Sequence, residues 1–221
     1  ELGLALARHC LARGDLVTTC ARAQVPILEP TRHRHAVTNV MRPGDIDALL
    51  EGIRADVGYL DALINNAGVA SLNLLALTPV ETIERIMRTN VEAVMLTTRA
   101  AIRLLRHSGA GRIVNVSTVA VPLRLRGEAV YAASKSAVET FTRVAAREVG
   151  ELGVTCNAVG PSPIRTDLIS GVDERKLEKL IGDQAIPRWA TCDDRINVVE
   201  FFLSPSSGMV TGQVVYLGGA G

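Results

Sequence analysis

The sequence predicts an α/β fold: a single doubly wound parallel sheet with helices on both faces. Helical and strand patterns alternate along the 221 residues, and the strand patterns are continuous apolar runs. Alternating strands and helices form right-handed crossovers, and continuous apolar strands are buried on both faces. Hydrophobic residues make up 48% of the chain and aromatic residues only 3%, a balance that suits helices packed on a buried sheet.

The order of the elements follows from apolar periodicity and from turn residues. Gly14 is a natural stop for the first helix, and Asp45 is expected to be the N-cap of the second. We predict helices at residues 2–13, 43–57, 79–107, 129–152, 173–182 and 193–203, and strands at residues 16–21, 36–40, 61–65, 112–116, 154–159 and 213–217. Because no linker, repeat or low-complexity segment interrupts this series, we predict one domain over residues 1–221.

Charge and composition argue against several classes of function. A net charge of +1 without a basic tract does not suit binding to nucleic acid or to an anionic membrane. No apolar run reaches membrane-spanning length. The cysteines are far apart and none belongs to a C-x-x-C pair, which predicts a reduced, cytoplasmic protein. They are Cys10, Cys20, Cys156 and Cys192.

His33 and His35 form an H-x-H pair, a spacing that also occurs in metal sites. The pair lies among arginines in a polar stretch, and the chain has no cluster of cysteine and histidine. We therefore predict a solvated loop rather than metal ligands at this pair, and no metal site in the protein.

Two motifs point to chemistry. Tyr131 and Lys135 lie four residues apart in a helical stretch of small residues, so they share one helix face. A free phenol has a pKa of about 10, and a nearby ammonium is expected to lower that pKa toward neutral pH. The second motif is the turn N-N-A-G at residues 65–68, where Gly68 lets the backbone approach a ligand closely.

These motifs, in this order, resemble the short-chain dehydrogenase/reductase family, and within it the beta-ketoacyl carrier-protein reductases and related ketoreductases. The resemblance spans residues 3–219. It implies a Rossmann-type fold and hydride transfer between a nicotinamide coenzyme and a hydroxyl or ketone carbon. In this family pattern Tyr131 is the proton donor, Lys135 also binds the nicotinamide ribose, and Asn90 holds a water that relays protons to the lysine.

The family also has a serine thirteen residues before the tyrosine, where it polarises the substrate carbonyl. Counting back from Tyr131 reaches Thr118, with Ser117 one position earlier. A threonine hydroxyl is an equivalent donor, and neighbouring side chains on a strand point in opposite directions, so only one of the two faces the site. We favour Thr118. Ser117 takes the role if the loop differs in length, and the other hydroxyl then satisfies backbone groups at the strand end.

The end of the strand at residues 16–21 indicates the coenzyme. Relatives that prefer NAD carry a carboxylate there, whereas here Ala21 stands in its place and Arg22 follows. A guanidinium pairs well with a 2′-phosphate, which favours NADP(H) over NAD(H). Besides Tyr131 and Lys135, the resemblance assigns coenzyme contacts to Gly3, Asn39, Val40, Asn66, Ala67, Gly68, Pro161, Ile164 and Thr166.

Two regions depart from the family pattern. Ser162 replaces a glycine in the segment that would hold the coenzyme carboxamide, and a serine there costs about 1 kcal/mol or more if the position needs a positive φ. At the start of the chain, Gly3 alone remains of the glycine-rich phosphate turn, Glu1 stands at its middle glycine, and the preceding strand is missing. We therefore expect a gap in the sheet and a sequence that is part of a longer chain.

The resemblance thus predicts an enzyme, an NADPH-dependent reductase of a small or acyl-carrier-bound ketone. An alcohol or sugar dehydrogenase of the same family and a catalytically silent relative that binds a nucleotide or a partner are the alternatives. Residues 168–188 would form a substrate lid, and the helices at residues 80–107 and 129–150 would pack against their copies in a dimer or homotetramer.

Overall fold

The computed structural model describes residues 2–166, 171 and 173–219, in which helices and strands alternate. The α-helices there are α1 (Leu2–Ala12), α2 (Pro43–Asp56), α3 (Val80–Met87), α4 (Ala93–His107), α5 (Ala120–Leu123), α6 (Ala129–Val149), α7 (Glu174–Gly182) and α8 (Cys192–Leu203). The strands are β1 (Val17–Ala21), β2 (His33–Val37), β3 (Ala62–Asn65), β4 (Arg112–Val116), β5 (Thr155–Gly160) and β6 (Val214–Tyr216).

The strands pair in parallel and form two sheets. One sheet consists of β1 and β2, and the other has the order β3-β4-β5-β6. Among the described residues no strand ladder joins the two sheets, in agreement with the gap expected from the sequence. The predicted α/β class with a parallel sheet is confirmed.

Strand β4 separates two apolar layers. Ile113 packs in a cluster with residues of α2, α4 and α6, whereas its neighbour Val114 packs with residues of α1 and α8. Because successive side chains of a strand point to opposite faces, one short strand anchors helices on both sides of the sheet. Strands β4 and β5 are almost fully buried, as the continuous apolar runs predict, but β1 and β2 are partly exposed.

The second strand lies three residues earlier than predicted. Residues 33–37, not 36–40, form β2, because they hold parallel register with the whole of β1. The prediction of a solvated loop at His33 and His35 is therefore wrong: both lie in the strand, and His33 is only 2% exposed.

Two helix predictions also need correction. The N-cap of α2 is Arg42 rather than Asp45, and the Asp45 carboxylate instead accepts a hydrogen bond from the Asn39 backbone N–H at 2.9 Å. The long helix predicted at residues 79–107 is divided by a π-helix, Arg88–Glu92, between α3 and α4. Such segments are frequent at functional sites, and this one contains Asn90.

The remaining boundaries agree with the predictions to within a few residues, although the sequence did not predict the short helix α5. Within the described ranges, no helix combines the length and the hydropathy that a membrane span requires.

Gly111, just before β4, is a position where the packing excludes a side chain. A Cβ atom there would lie 2.8 Å from the Leu105 carbonyl oxygen and 3.0 Å from Val154 Cγ2. Gly111→Ala should therefore lower the free energy of unfolding by about 1–3 kcal/mol, seen as a drop of about 2–4 °C in Tm for each kcal/mol. Gly52→Ala is the control, because a Cβ at this helical glycine meets nothing within 4 Å and should raise the stability by up to about 1 kcal/mol. Equal Tm values for the two variants would contradict this packing.

Candidate active site

A cavity lies where β4 and β5 end. Its wall includes Thr118, which follows β4, and Tyr131 on α6. Pro161, Ile164 and Thr166 reach it from the segment after β5. Ligands of doubly wound folds bind at this carboxyl edge of the sheet. Much of the remaining wall is apolar and includes Leu2, Ala70, Leu72, Leu125, Leu177 and Leu180.

The phenol of Tyr131 is a weaker acid in the fold than in water. Burial raises its pKa to about 12, the nearby Thr118 hydroxyl lowers it to a smaller extent, and the Glu128 carboxylate raises it again. The expectation that Lys135 lowers this pKa is wrong, because burial dominates. The lysine ammonium points elsewhere, donating to the Val116 carbonyl oxygen at 2.8 Å.

Ser117 and Thr118 face different parts of the molecule. The Ser117 hydroxyl donates to Glu139 Oε1 at 2.5 Å, and the Tyr216 hydroxyl donates to the same oxygen at 2.7 Å. Glu139 is 3% exposed, so Ser117 points into the protein interior. Thr118 lines the cavity, and its Oγ1 accepts a hydrogen bond from the Ala120 N–H at 3.2 Å. Only the threonine hydroxyl is placed beside Tyr131.

Lys135 is buried behind Tyr131 on the same face of α6. The side chain is 4% exposed. Burial, and secondarily repulsion from Arg195, lower its pKa to about 8. The ammonium therefore remains the major form at neutral pH but loses its proton under mildly alkaline conditions.

Asn90 holds the backbone that follows β3. Its side-chain oxygen accepts from the Val69 N–H at 2.8 Å, and its amide nitrogen donates to the Val69 carbonyl at 2.9 Å and to Ser134 Oγ at 3.0 Å. The residue is 0% exposed. Asn90 thus joins the π-helix, this loop and helix α6 at one point.

Two glycines, Gly68 and Gly3, lie directly beside polar side chains of this region. A Cβ on Gly68 would lie 3.4 Å from both Asn90 Oδ1 and Lys135 Nζ. A Cβ on Gly3 would lie 3.0 Å from Asn66 Nδ2, and Asn66 Oδ1 accepts from Arg195 Nη2 at 2.9 Å. Glycine backbone without side chains, next to the buried cations Lys135 and Arg195, suits the binding of a dinucleotide. The phosphates and ribose of a dinucleotide must come close to the backbone and need hydrogen-bond donors.

The other residues of the 65–68 turn have separate roles. Asn65 is a core residue, and its amide donates to Asn115 Oδ1 at 2.8 Å and to Thr98 Oγ1 at 3.1 Å. Ala67 is exposed on the turn itself. Asn65 therefore anchors the turn, and the following three residues remain at the edge of the sheet.

The residues predicted to select the coenzyme do not line the cavity. Ala21 ends β1 and Arg22 follows it with an exposed side chain. Asn39 and Val40 follow β2, where Asn39 Oδ1 accepts from the Met41 N–H at 3.1 Å. Both pairs stand at the carboxyl ends of their parallel strands, the position expected for groups that contact a coenzyme.

Ser162 avoids the strain considered for it. Arg124 is the non-glycine residue with positive φ in the described part of the chain, so Ser162 does not adopt that conformation. Its hydroxyl hydrogen-bonds Gln184, which follows α7 and packs on Gly218. The substitution of glycine by serine thus adds a tie between the segment after β5 and the end of α7. Part of the predicted lid at residues 168–188 lies outside the described residues. Glu1 also lies outside them.

Sequence reasoning missed two buried charged residues of this region. Glu139 lies four residues after Lys135 and eight after Tyr131, so the helical period could have identified it on the same face. Arg195 is 1% exposed at a core position of α8, where an arginine within an otherwise apolar helical stripe is the only sequence signal. Over the described ranges, no group of three histidine, cysteine or acidic side chains is arranged to hold a metal ion.

Comparisons with known proteins identify the family. A family model described as Enoyl-(Acyl carrier protein) reductase matches residues 2–219. The 3-oxoacyl-[acyl-carrier-protein] reductase FabG of Vibrio cholerae is 33% identical over 181 residues, which cover 82% of this chain and 74% of that protein. The FabG protein of Escherichia coli is 29% identical, with 99% of this chain and 91% of that protein covered.

A solved structure shows the same fold. The gluconate 5-dehydrogenase from Burkholderia cenocepacia J2315, in complex with NADP and tartrate, superposes with a TM-score of 0.89 at 25% identity and covers 99% of this chain and 90% of its own. The chain belongs to the short-chain dehydrogenase/reductase family. The predictions of a Rossmann-type fold and of an NAD(P)-dependent oxidoreductase acting on hydroxyl or ketone groups are confirmed.

Proposed function

We propose that the protein is a cytoplasmic, NADPH-dependent ketoreductase that reduces a β-ketoacyl or similar ketone to the alcohol. One observation carries the proposal: the hydroxyls of Tyr131 and Thr118 face one cavity, with the buried ammonium of Lys135 behind them. The similarity to the FabG reductases supports a carrier-bound substrate. We also propose one domain over residues 1–221 and assembly into a dimer or tetramer.

The two hydroxyls divide the work on the substrate carbonyl. Thr118 donates a hydrogen bond to the carbonyl oxygen and draws electron density from the carbon. Tyr131 then gives its proton to the oxygen as that oxygen becomes an alkoxide. A Tyr131 pKa raised to about 12 keeps the proton on the phenol at neutral pH, while an alkoxide is basic enough to take it. The same high pKa leaves very little phenolate at neutral pH, so the protonated phenol that ketone reduction requires is the resting form.

The coenzyme side of the site is built from the glycines and the lysine. Bound NADPH would supply the hydride. Lys135 would bind the nicotinamide ribose, and Asn90 would hold the water that returns a proton toward Lys135. Arg22 would pair with the 2′-phosphate. The remaining coenzyme contacts are proposed for Gly3, Ala21, Asn39, Val40, Asn66, Ala67, Gly68, Pro161, Ile164 and Thr166.

A second candidate function is oxidation of a polyol or sugar acid by the same residues. It is favoured by the likeness to the gluconate 5-dehydrogenase in complex with NADP and tartrate. Comparing initial rates with a β-ketoacyl thioester and NADPH against those with gluconate and NADP distinguishes the two, since each assay follows the coenzyme absorbance.

Substitutions in the cavity test the assignment of roles. Tyr131→Phe should lower kcat/KM for ketone reduction at least about 100-fold, and Thr118→Val about 10- to 100-fold, because each removes a donor to the developing alkoxide. Ser117→Ala is the neighbouring control: it should change kcat/KM only a few-fold but lower the free energy of unfolding by about 1–3 kcal/mol, since Glu139 loses a donor. A larger kinetic loss for Ser117→Ala than for Thr118→Val would reverse the assignment. If the protein shows no turnover and Tyr131→Phe has no effect, the proposed ketoreductase activity is contradicted.

The coenzyme preference is tested at Arg22. Arg22→Ala should raise the KM for NADPH about 10- to 100-fold and leave the KM for NADH unchanged, because only NADPH carries the 2′-phosphate that the guanidinium would bind. Arg34→Ala is a matched control, since this exposed arginine of β2 pairs with Asp56 at 3.5 Å. An equal change in KM for both coenzymes would show that Arg22 does not bind the 2′-phosphate.

The pH dependence of kcat/KM for NADPH should report Lys135. The ammonium form is required, and its pKa is about 8, so the rate should fall as the pH rises through 8, where the proton is lost. Arg195→Met removes a neighbouring positive charge and should move this alkaline limb to higher pH. A limb that stays in place in Arg195→Met, or a rate that is flat up to pH 10, would contradict the assignment.

A further inference from the structure

His33 and His35 take no part in the proposed chemistry, yet both are hydrogen-bonded to Thr19. The Leu28 backbone N–H donates to His33 Nδ1 at 2.9 Å, and His33 Nε2 lies 2.8 Å from Thr19 Oγ1. Thr19 Oγ1 lies 3.0 Å from His35 Nδ1, and His35 Nε2 lies 3.0 Å from the Ala23 carbonyl oxygen. These contacts form a continuous chain from Leu28 to Ala23.

The polarity of this chain follows from its two ends. A backbone N–H can only donate and a carbonyl oxygen can only accept. His33 therefore carries its proton on Nε2 and donates to Thr19, and His35 donates from Nε2 to Ala23. The Thr19 hydroxyl has two acceptors within reach, and His35 Nδ1 at 3.0 Å is nearer than the Arg34 carbonyl oxygen at 3.4 Å, so we assign its proton to the bond with His35. The His33 ring is neutral, since its Nδ1 accepts a hydrogen bond, and all four ring nitrogens have a hydrogen-bond partner. Burial and the neighbouring His35 lower the pKa of His33, which agrees with a neutral ring.

This series of hydrogen bonds connects the two ends of the loop that carries Arg22. Residues 22–28 leave the end of β1, and most of them are exposed. Ala23 and Leu28 stand near the two ends of this loop, and both are tied to strand residues, one through His35 and the other through His33. Because Thr19 links the two rings, one hydroxyl on β1 holds both ends of the loop.

We propose that this relay, formed by Leu28, His33, Thr19, His35 and Ala23, positions Arg22 and thereby contributes to the selection of NADPH over NADH. The inference rests on the proposed role of Arg22. An arginine on an unrestrained loop loses conformational freedom when it pairs with a phosphate, so a loop held in advance binds more tightly. Arg22 would touch the coenzyme, and the relay acts through it as a positioning element.

Thr19→Val tests the relay, because valine keeps the shape of threonine and removes the hydroxyl. Hydrogen exchange of the coenzyme-free protein should become at least several-fold faster in residues 23–28. The Kd for NADPH should rise about tenfold and the Kd for NADH less than twofold. Quenching of the Trp189 fluorescence by the coenzyme measures both dissociation constants. This single tryptophan stacks with Arg165 at 4.3 Å, and Arg165 lies between the proposed coenzyme contacts Ile164 and Thr166.

Two further variants serve as controls. Thr19→Ser restores the hydroxyl and should behave as the parent protein, and Thr18→Val alters an exposed residue on the opposite face of β1 and should change neither readout. His35→Phe, at a partly exposed position, breaks the relay at its last donor and replaces Thr19→Val if that variant does not fold.

The outcomes separate the relay from the function on which it rests. Unchanged exchange in residues 23–28 of Thr19→Val, or the same increase in Thr18→Val, overturns the relay. Faster exchange with unaltered NADPH affinity overturns its part in coenzyme selection. If Arg22→Ala itself leaves the NADPH affinity unchanged, the proposed role of Arg22 is wrong, and so is the contribution of the relay to coenzyme selection. The hydrogen-exchange measurement still decides whether the relay holds the loop.

Discussion

The hydrogen bond from Lys135 Nζ to the Val116 carbonyl oxygen is the contact on which the geometry of the site depends. A buried ammonium is unfavourable unless it donates to an acceptor, so this bond strongly restrains the position of α6 against the end of β4. Tyr131 lies one helical turn before Lys135, and Thr118 lies two residues beyond Val116. One contact between helix and strand therefore sets the distance between the two hydroxyls that face the cavity.

The same helix face serves both the cavity and the core. Tyr131, Lys135 and Glu139 follow one another at intervals of four along α6, and each meets the chain near the end of β4. Because the backbone alternates in direction there, Thr118 turns toward Tyr131 while Ser117 turns toward Glu139. The Glu139 carboxylate accepts from two hydroxyls and has Arg143 at 3.8 Å, so its buried charge is satisfied by the fold. Ser117 therefore has a structural partner of its own.

The sequence predicted what periodicity and short motifs encode, and failed where a feature depends on contacts between distant segments. The helices and the buried strands followed from apolar patterns. Strand β2 contains His33 and His35 and has no apolar run, so its register depends on pairing with β1 and on bonds to Thr19. The π-helix around Asn90 has no periodic signature. The spacing of Tyr131 and Lys135 was visible, but the direction in which the ammonium points was not, and the phenol pKa followed burial instead.

Arg195 acts electrostatically on Lys135 and is hydrogen-bonded to Asn66, which lies beside the start of α1. The Asn66 side chain contacts the position of Gly3 at the beginning of α1 and accepts a hydrogen bond from Arg195 on α8. Arg195 also repels Lys135 and lowers the lysine pKa. An anion bound beside Arg195 offsets this repulsion, because the opposite charge favours the ammonium form of Lys135. By linkage, protonation of Lys135 then strengthens anion binding by the same free energy. A negatively charged ligand bound beside these two buried cations would therefore have its binding coupled to the charge of Lys135, the residue behind Tyr131.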